Sequence, residues 1–202
     1  MSKLCMRNFS VMAVLMLFAF SGRAQIKYFP DRAFSSNSRN DQFASVWYSR
    51  DLRTLEEPSL LEMAKSQTKE SYRFLWLRTF HHPVSVRLEV NADGAATVTT
   101  KIASGEAGFN PGVLTVNISR TITSEQTKKF LNQIKGAGFW ALPSHVNDQA
   151  GTDGSEWVIE GASNGRYHVV TRWSPQAGAV HSIGLILAFD LAQIDVPKEE
   201  VY

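Results

Sequence analysis

Over residues 71–122 apolar and polar positions fall into four successive runs of strand length. Residues 71–80 are rich in Tyr, Phe, Trp and Leu, and Val84, Val86, Leu88 and Val90 then alternate with Ser85, Arg87 and Glu89. Asn91-Ala92-Asp93-Gly94 turns the chain into a third run at 95–103, and a Gly-bounded loop at 105–112 leads into a fourth at 113–122. Four such strands in sequence predict an antiparallel meander. Before and after it the period lengthens. Phe43, Val46, Trp47 and Leu55 on a polar background predict an amphipathic helix, and Ser59-Leu60-Leu61-Glu62 is a capping box for a short second one. Thr123 with Gln126 forms another capping box, Phe130, Leu131 and Ile134 share one face, and Gly136 stands where a C-terminal cap belongs.

A turn-rich loop at 143–154 delivers a hairpin with arms at 155–161 and 166–173. Residues 179–194 carry Val180, Ile183, Leu187, Leu191 and Ile194 on one face and Leu185, Ile186 and Phe189 elsewhere, the pattern of a largely buried helix. Strands grouped with strands, with no βαβ alternation, define an α+β domain. The expected architecture is an antiparallel meander of about four strands plus a C-terminal hairpin, with helices packed on one face. No internal repeat of fixed period is present.

The hairpin register follows from its residues. A two-residue Asn164-Gly165 turn sets Trp157 opposite Arg172 and Glu160 opposite Val169, mixing apolar and charged groups on both faces. A three-residue loop, Ser163-Asn164-Gly165, instead sets Glu160 opposite His168 and Glu156 opposite Arg172, and gathers Trp157, Ile159, Tyr167, Val169, Thr171 and Trp173 on the other face. The second register is the expected one. Its consequence is a polar cluster of Glu156, Glu160, His168 and Arg172, a candidate binding face in which a carboxylate tunes an imidazole; the plain alternative is a set of cross-strand charge pairs.

Composition changes the picture mainly at the N-terminus. Lys3 and Arg7 precede an apolar run at 11–20, and Gly22-Arg23-Ala24 offers the small residues a signal peptidase reads, so residues 1–24 are expected to be a signal peptide cleaved after Ala24. The apolar run is about half the roughly 20 residues a membrane span needs. Cleavage removes three basic residues and no acid, leaving 18 basic against 19 acidic. Such a chain has no electrostatic footprint for nucleic acid. Cys5, the single cysteine, leaves with the signal. Residues 25–40 read as an extended polar leader, with order beginning near Asp41 and one α+β domain at 41–202. Asn117-Ile118-Ser119 matches a glycosylation sequon by chance on a strand.

Several motifs suggest chemistry without its context. Gly161-Ala162-Ser163-Asn164-Gly165 matches G-x-S-x-G, but a strand follows where a hydrolase needs a helix. Ser66-Gln67-Thr68-Lys69 matches S-x-x-K, yet neither S-D-N nor K-T-G occurs. His81 and His82 point to opposite sides of an extended chain. Asp148, Asp153 and Glu156 do not have the spacing of an EF-hand loop. His145 and His181 read as ordinary loop and helix residues. Trp47, Trp76, Trp140, Trp157 and Trp173 sit in apolar runs and read as core more than as a ligand groove. No cofactor motif is present.

Glu156-Trp157 through Glu160-Gly161, with Arg166-Tyr167-His168-Val169-Val170 and Arg172-Trp173-Ser174-Pro175, resembles a signature of uncharacterised exported bacterial proteins, a domain of unknown function. The resemblance covers about twenty residues strongly. It implies an exported bacterial domain and assigns no catalytic residue. The functional expectation is a periplasmic or secreted, non-enzymatic binding or structural domain with a protein or small-molecule partner. The alternative is a small secreted hydrolase or metal-assisted enzyme centred on Glu160 and His168.

Overall fold

The structure, a computed structural model, describes residues 26–66, 69–146, 151 and 153–202. The signal segment, Gln67, Thr68 and Asp148 lie outside the described residues. Helices α1 (Ser38–Thr54) and α2 (Leu60–Ser66) precede strands β1 (Ser71–Arg78), β2 (Val84–Val90), β3 (Ala96–Ala103) and β4 (Leu114–Ile122). Helix α3 (Ser124–Gly136), the hairpin β5 (Ser155–Ser163) and β6 (Arg166–Trp173), and helix α4 (Ala179–Leu185) follow. The six strands form one antiparallel sheet in the order β4-β3-β2-β1-β5-β6. The meander and the C-terminal hairpin are therefore joined into a single sheet, with β5 alongside β1.

Helices cover both faces of this sheet, not one. Tyr72, Phe74 and Trp76 of β1 point into a core shared with Val86, Leu88, Trp157 and Ile159, closed by Phe130 and Ile134 of α3 and Val180 and Ile183 of α4. This is the hydrophobic face. Leu75 and Leu77, on the alternate positions of β1, meet Tyr48 and Leu52 of α1 together with Tyr28, Phe29 and Phe34. On this second, mixed face α2 packs Leu60 and Ala64 against Ala162. Every residue of β1 is buried.

The local capping chemistry behaves as its sequence implies. Thr123 Oγ1 accepts from Gln126 N at 3.2 Å while Gln126 Oε1 accepts from Thr123 N at 3.0 Å, and Ser59 Oγ accepts from Glu62 N at 3.2 Å. At the far end of α3, Gly136 is the last helical residue and Gly138 supplies the left-handed turn, with φ 62°. The last helix is interrupted: after α4 the backbone continues from Ile186 to Leu191 in π-helical turns, Ala192 N donating to Leu187 O at 2.9 Å. Close packing dictates the glycines here. A Cβ at Gly184 would stand 2.5 Å from the Trp157 ring, and one at Gly161 would stand 2.7 Å from Phe139.

Residues 26–37 form no helix or strand, but they are not a free leader. Tyr28, Phe29 and Phe34 are buried, with Phe29 and Phe34 edge-to-face at 4.9 Å. Asp41 in the first turn of α1 accepts from Arg32 N at 2.9 Å and Phe34 N at 2.8 Å. Order therefore begins ahead of Asp41. The spacing of these aromatics carries no helical or strand period, so the local sequence gives no sign of their burial.

Candidate functional site

The hairpin takes the register that the face argument rejected. Asn164 and Gly165 form a two-residue turn with φ 50° and 75°, the positive values of a type I′ turn, and Trp157 stands opposite Arg172 and Glu160 opposite Val169. The rejected mixing of charge and apolar groups is tolerated because both faces are covered and the charges are paired inside. Glu156 and Glu160 consequently lie on the mixed face, while His168 and Arg172 occupy positions of the opposite parity. The four candidate residues do not converge.

His168 Nε2 bonds to Leu142 O at 3.0 Å, beside the Phe139 ring at 5.2 Å, and burial lowers its pKa. Arg172 donates to Thr171 O at 2.6 Å and Pro143 O at 3.1 Å. Glu160 joins a buried ion network. Arg73 Nε donates to Glu160 Oε2 at 2.7 Å and Arg73 Nη1 to Glu57 Oε2 at 3.3 Å, and Arg87 Nε reaches the same Glu57 oxygen at 2.8 Å. Tyr167 Oη donates to Glu160 Oε1 at 2.8 Å, and Lys101 Nζ lies 3.5 Å from Glu57 Oε1. Burial acts toward neutrality on both partners of the central pair. At Arg73 the charges of Glu160 and Glu57 overcome it and hold the guanidinium above its ordinary value. With all its charged members buried, this network is a structural keystone of the mixed face.

Glu156 belongs to a different place. Thr171 Oγ1 donates to its carboxylate, and Tyr48 on α1 shares that contact, so that burial, followed by the charge of Glu156, pushes the Tyr48 phenol well above its usual range. These three side chains lie at the buried end of a cleft of about 770 Å³ between α1, the loop carrying Phe109 and the outer end of the hairpin. Trp47 and Trp173 line it, and Phe43, Val46, Phe109 and Val146 stand exposed along it. Phe80 stacks on Phe109 with ring centroids 6.0 Å apart. Of the eight large hydrophobic residues exposed among the described residues, these five gather at this one place.

Helix α1 builds the cleft wall because its buried side is set by Tyr48, Asp51 and Leu52. That leaves Phe43 and Val46, the residues expected to face the core, 70% and 59% exposed. The loop opposite is clipped to α1. Arg50 donates to Ala107 O at 2.7 Å and Phe109 O at 2.8 Å, and Trp47 Nε1 to Ala107 O at 2.8 Å. His145 also lines the cleft, and its Nδ1 is buried with no hydrogen-bond partner among the described residues.

The tryptophans divide accordingly. Trp76 and Trp157 are core, Trp47 and Trp173 line the cleft, and Trp140 borders a smaller hollow of about 350 Å³, with the Arg166 guanidinium 4.8 Å above its ring. Ser163 ends β5 and is followed by the hairpin turn and a strand. Ser66 Oγ donates to Met63 O at 3.0 Å, and Lys69 lies 3.9 Å from Glu89. His81 bonds to Tyr202 Oη at 2.9 Å and His82 to Gly105 O at 2.8 Å, two separate partners. His181 stacks on Trp157 at 5.5 Å. Among the described residues, no group of three His, Cys, Asp or Glu side chains stands close enough to hold a metal ion.

Set against known proteins, the chain matches no family model and no curated relative. What the fold itself defines is an α+β domain with an antiparallel sheet covered on both faces. No helix among the described residues is long and apolar enough to cross a membrane.

Proposed function

We propose that this chain is an exported, non-enzymatic binding domain of a bacterial envelope, and that the cleft beside α1 is its ligand site. The observation that carries the reading is the convergence of exposed Phe43, Val46, Phe109 and Val146 on one cleft whose buried end is polar. Ligand sites combine this kind of apolar lining with a few placed polar groups, in volumes of roughly 300–1,000 Å³. The ligand class that fits is a small amphiphile with a flat or branched apolar body and a neutral hydrogen-bonding end. The body lies between Phe43, Trp47 and Phe109, and the polar end meets the Tyr48, Thr171 and Glu156 group. The alternative enzyme reading needed Glu160 and His168 side by side; they stand on opposite faces of the sheet.

The test is a titration with N-phenyl-1-naphthylamine, an uncharged amphiphile with one N–H donor, followed by fluorescence. Saturable binding is expected, and the double variant Phe43→Ser, Val46→Ser should weaken it by about tenfold, the scale of the apolar contact removed. Both side chains are largely exposed, so the thermal midpoint should hardly move. A variant that binds the dye as tightly as the parent would remove the cleft from the proposal.

The pattern of residues 1–24 and the resemblance of the hairpin signature support export. Protein recovered from a bacterial envelope is expected to begin at Gln25 by intact mass. A recovered chain that keeps Lys3 and Arg7 would overturn cleavage.

A further inference from the structure

The sheet has two edges, and the chain treats them differently. At β6 the edge is occupied: Thr171 N donates to Ser144 O at 2.8 Å, and the His168 and Arg172 side chains hold the backbone of Leu142 and Pro143 alongside. At β4 the only strand partner among the described residues is β3. Thr115, Asn117, Ile118, Ser119 and Thr121 are exposed there.

Exposed edges are ordinarily blunted by proline, lysine, short length or a bulge. Strand β4 is nine residues long, with no proline, lysine or acid among LTVNISRTI. Its pairing with β3 is irregular only near Leu114, between Ile102 and Ala103, so the stretch from Val116 to Ile122 is in regular register. Ile118, at its centre, is 60% exposed, and Val113 just before the strand is 67% exposed. Together with the five residues at the cleft, these two leave only Ile26 among the exposed large hydrophobics.

Seven of the nine residues also read alike in both directions by chemical class about Ile118 at the midpoint, the exception being Val116 against Arg120. A two-fold axis perpendicular to the sheet at Ile118 would pair the strand antiparallel with itself. Leu114 then faces Ile122, Thr115 faces Thr121, Val116 faces Arg120, Asn117 faces Ser119, and Ile118 faces its own counterpart. Directly opposite residues share a face. Hydroxyl and amide groups therefore meet on one side, and aliphatic groups on the other, where the Arg120 stem can lie over Val116. The two Arg120 side chains, four residues apart along the strand, are separated by roughly 14 Å. A dyad at Arg120 would oppose the two guanidinium groups, and one at Val116 would leave the strand from Ser119 onward unpaired. Ile118 alone uses the full strand without opposing like charges.

We infer that β4 is an assembly edge, and that its occupant is a second copy of this chain, joined by antiparallel pairing about Ile118 into a two-fold dimer with one continuous sheet. Such an isologous contact closes on itself and consumes both exposed edges. None of the paired residues Leu114–Ile122 lines the cleft, although the Phe109 loop that walls it leads into β4.

Sedimentation velocity on the mature chain over a concentration series tests this. A monomer–dimer equilibrium is expected. Ile118→Lys should raise the dissociation constant by at least about tenfold, because the two ammonium groups would meet at the dyad. An equimolar mixture of Ile118→Lys and Ile118→Glu chains should associate again as a heterodimer, which a merely damaged fold could not do. A parent chain that stays monomeric throughout would overturn the inference. So would a dimer that Ile118→Lys leaves intact, or a charge-swapped pair that fails to associate.

Discussion

Arg73→Met is expected to lower the free energy of unfolding by about 3–5 kcal/mol, the usual consequence of removing one partner from a buried ion pair. Arg73 has no exposed surface and is bonded to Glu160, to Glu57 and, at 2.7 Å, to the carbonyl of Pro58. The methionine fills much of the same volume, so the loss is chiefly electrostatic. Glu57 keeps Arg87 and Lys101, but Glu160, itself without exposed surface, keeps only Tyr167 among the network members. Changing Glu160→Leu as well should recover a large part of the loss, since an apolar pair in place of a buried ion pair is often neutral. Urea unfolding of the parent, single and double variants measures both effects. A single-variant loss below about 1 kcal/mol would put these charges on the scale of a surface pair.

The second large effect is a pH dependence. Asp51 lies on the buried side of α1, and burial raises its pKa from 3.8 to about 6, against the opposing pull of Arg50. One carboxylate oxygen accepts from Arg50 at 2.8 Å and the other finds no hydrogen-bond partner among the described residues. The folded state therefore holds this proton to higher pH than the unfolded chain does. Stability from this residue is greatest below the unfolded value, falls as pH rises from about 4 to about 6, and stays low above that range. Just over two pKa units correspond to about 3 kcal/mol. Asp51→Asn should abolish this component, so that its stability relative to the parent rises between pH 4 and pH 7. Denaturant unfolding of both proteins at a series of pH values gives the difference directly. A difference that does not change with pH would mean that Asp51 is ionised at no cost.

These two residues also show where the sequence was legible and where it was not. Alternation at Val84, Val86 and Leu88 and the capping box at Thr123 and Gln126 are local signals, and the structure follows them. The same alternation sets Arg87 and Glu160 on polar faces, which read as solvent positions. They are buried, with Arg73 and Glu160 paired across 87 residues, and no local window contains that information. The assumption of one dry and one wet face then displaced the strongest local signal in the hairpin, Asn164-Gly165.

Part of the cleft is hidden from local patterns for the same reason. Phe43 and Val46 belong to the apolar stripe expected of the amphipathic helix, whereas the α1 face that packs inward carries Asp51 with Tyr48 and Leu52. Glu156 was singled out, but through a pairing with Arg172 that does not occur, and its contact with Tyr48 comes from a helix more than a hundred residues earlier. His145 gave no sequence signal at all. Only the gathering of exposed apolar side chains in three dimensions distinguishes the cleft, and hydrophobicity alone cannot separate an exposed phenylalanine from a buried one.

The position of β1 between β2 and β5 has a consequence for how the chain acquires its structure. Strand β2 follows β1 after a short turn, but β5 arrives only once residues 155–163 have been made. Until then the meander has an open flank along Phe74, Leu75 and Trp76, the centre of the finished molecule. Contacts closed over such long stretches slow the search for the native state, and an unpaired apolar strand in the meantime invites mispairing with other chains. A nascent copy of this protein is thus most vulnerable after the meander has formed and before the hairpin docks, a window in which a holding chaperone would have the most to protect.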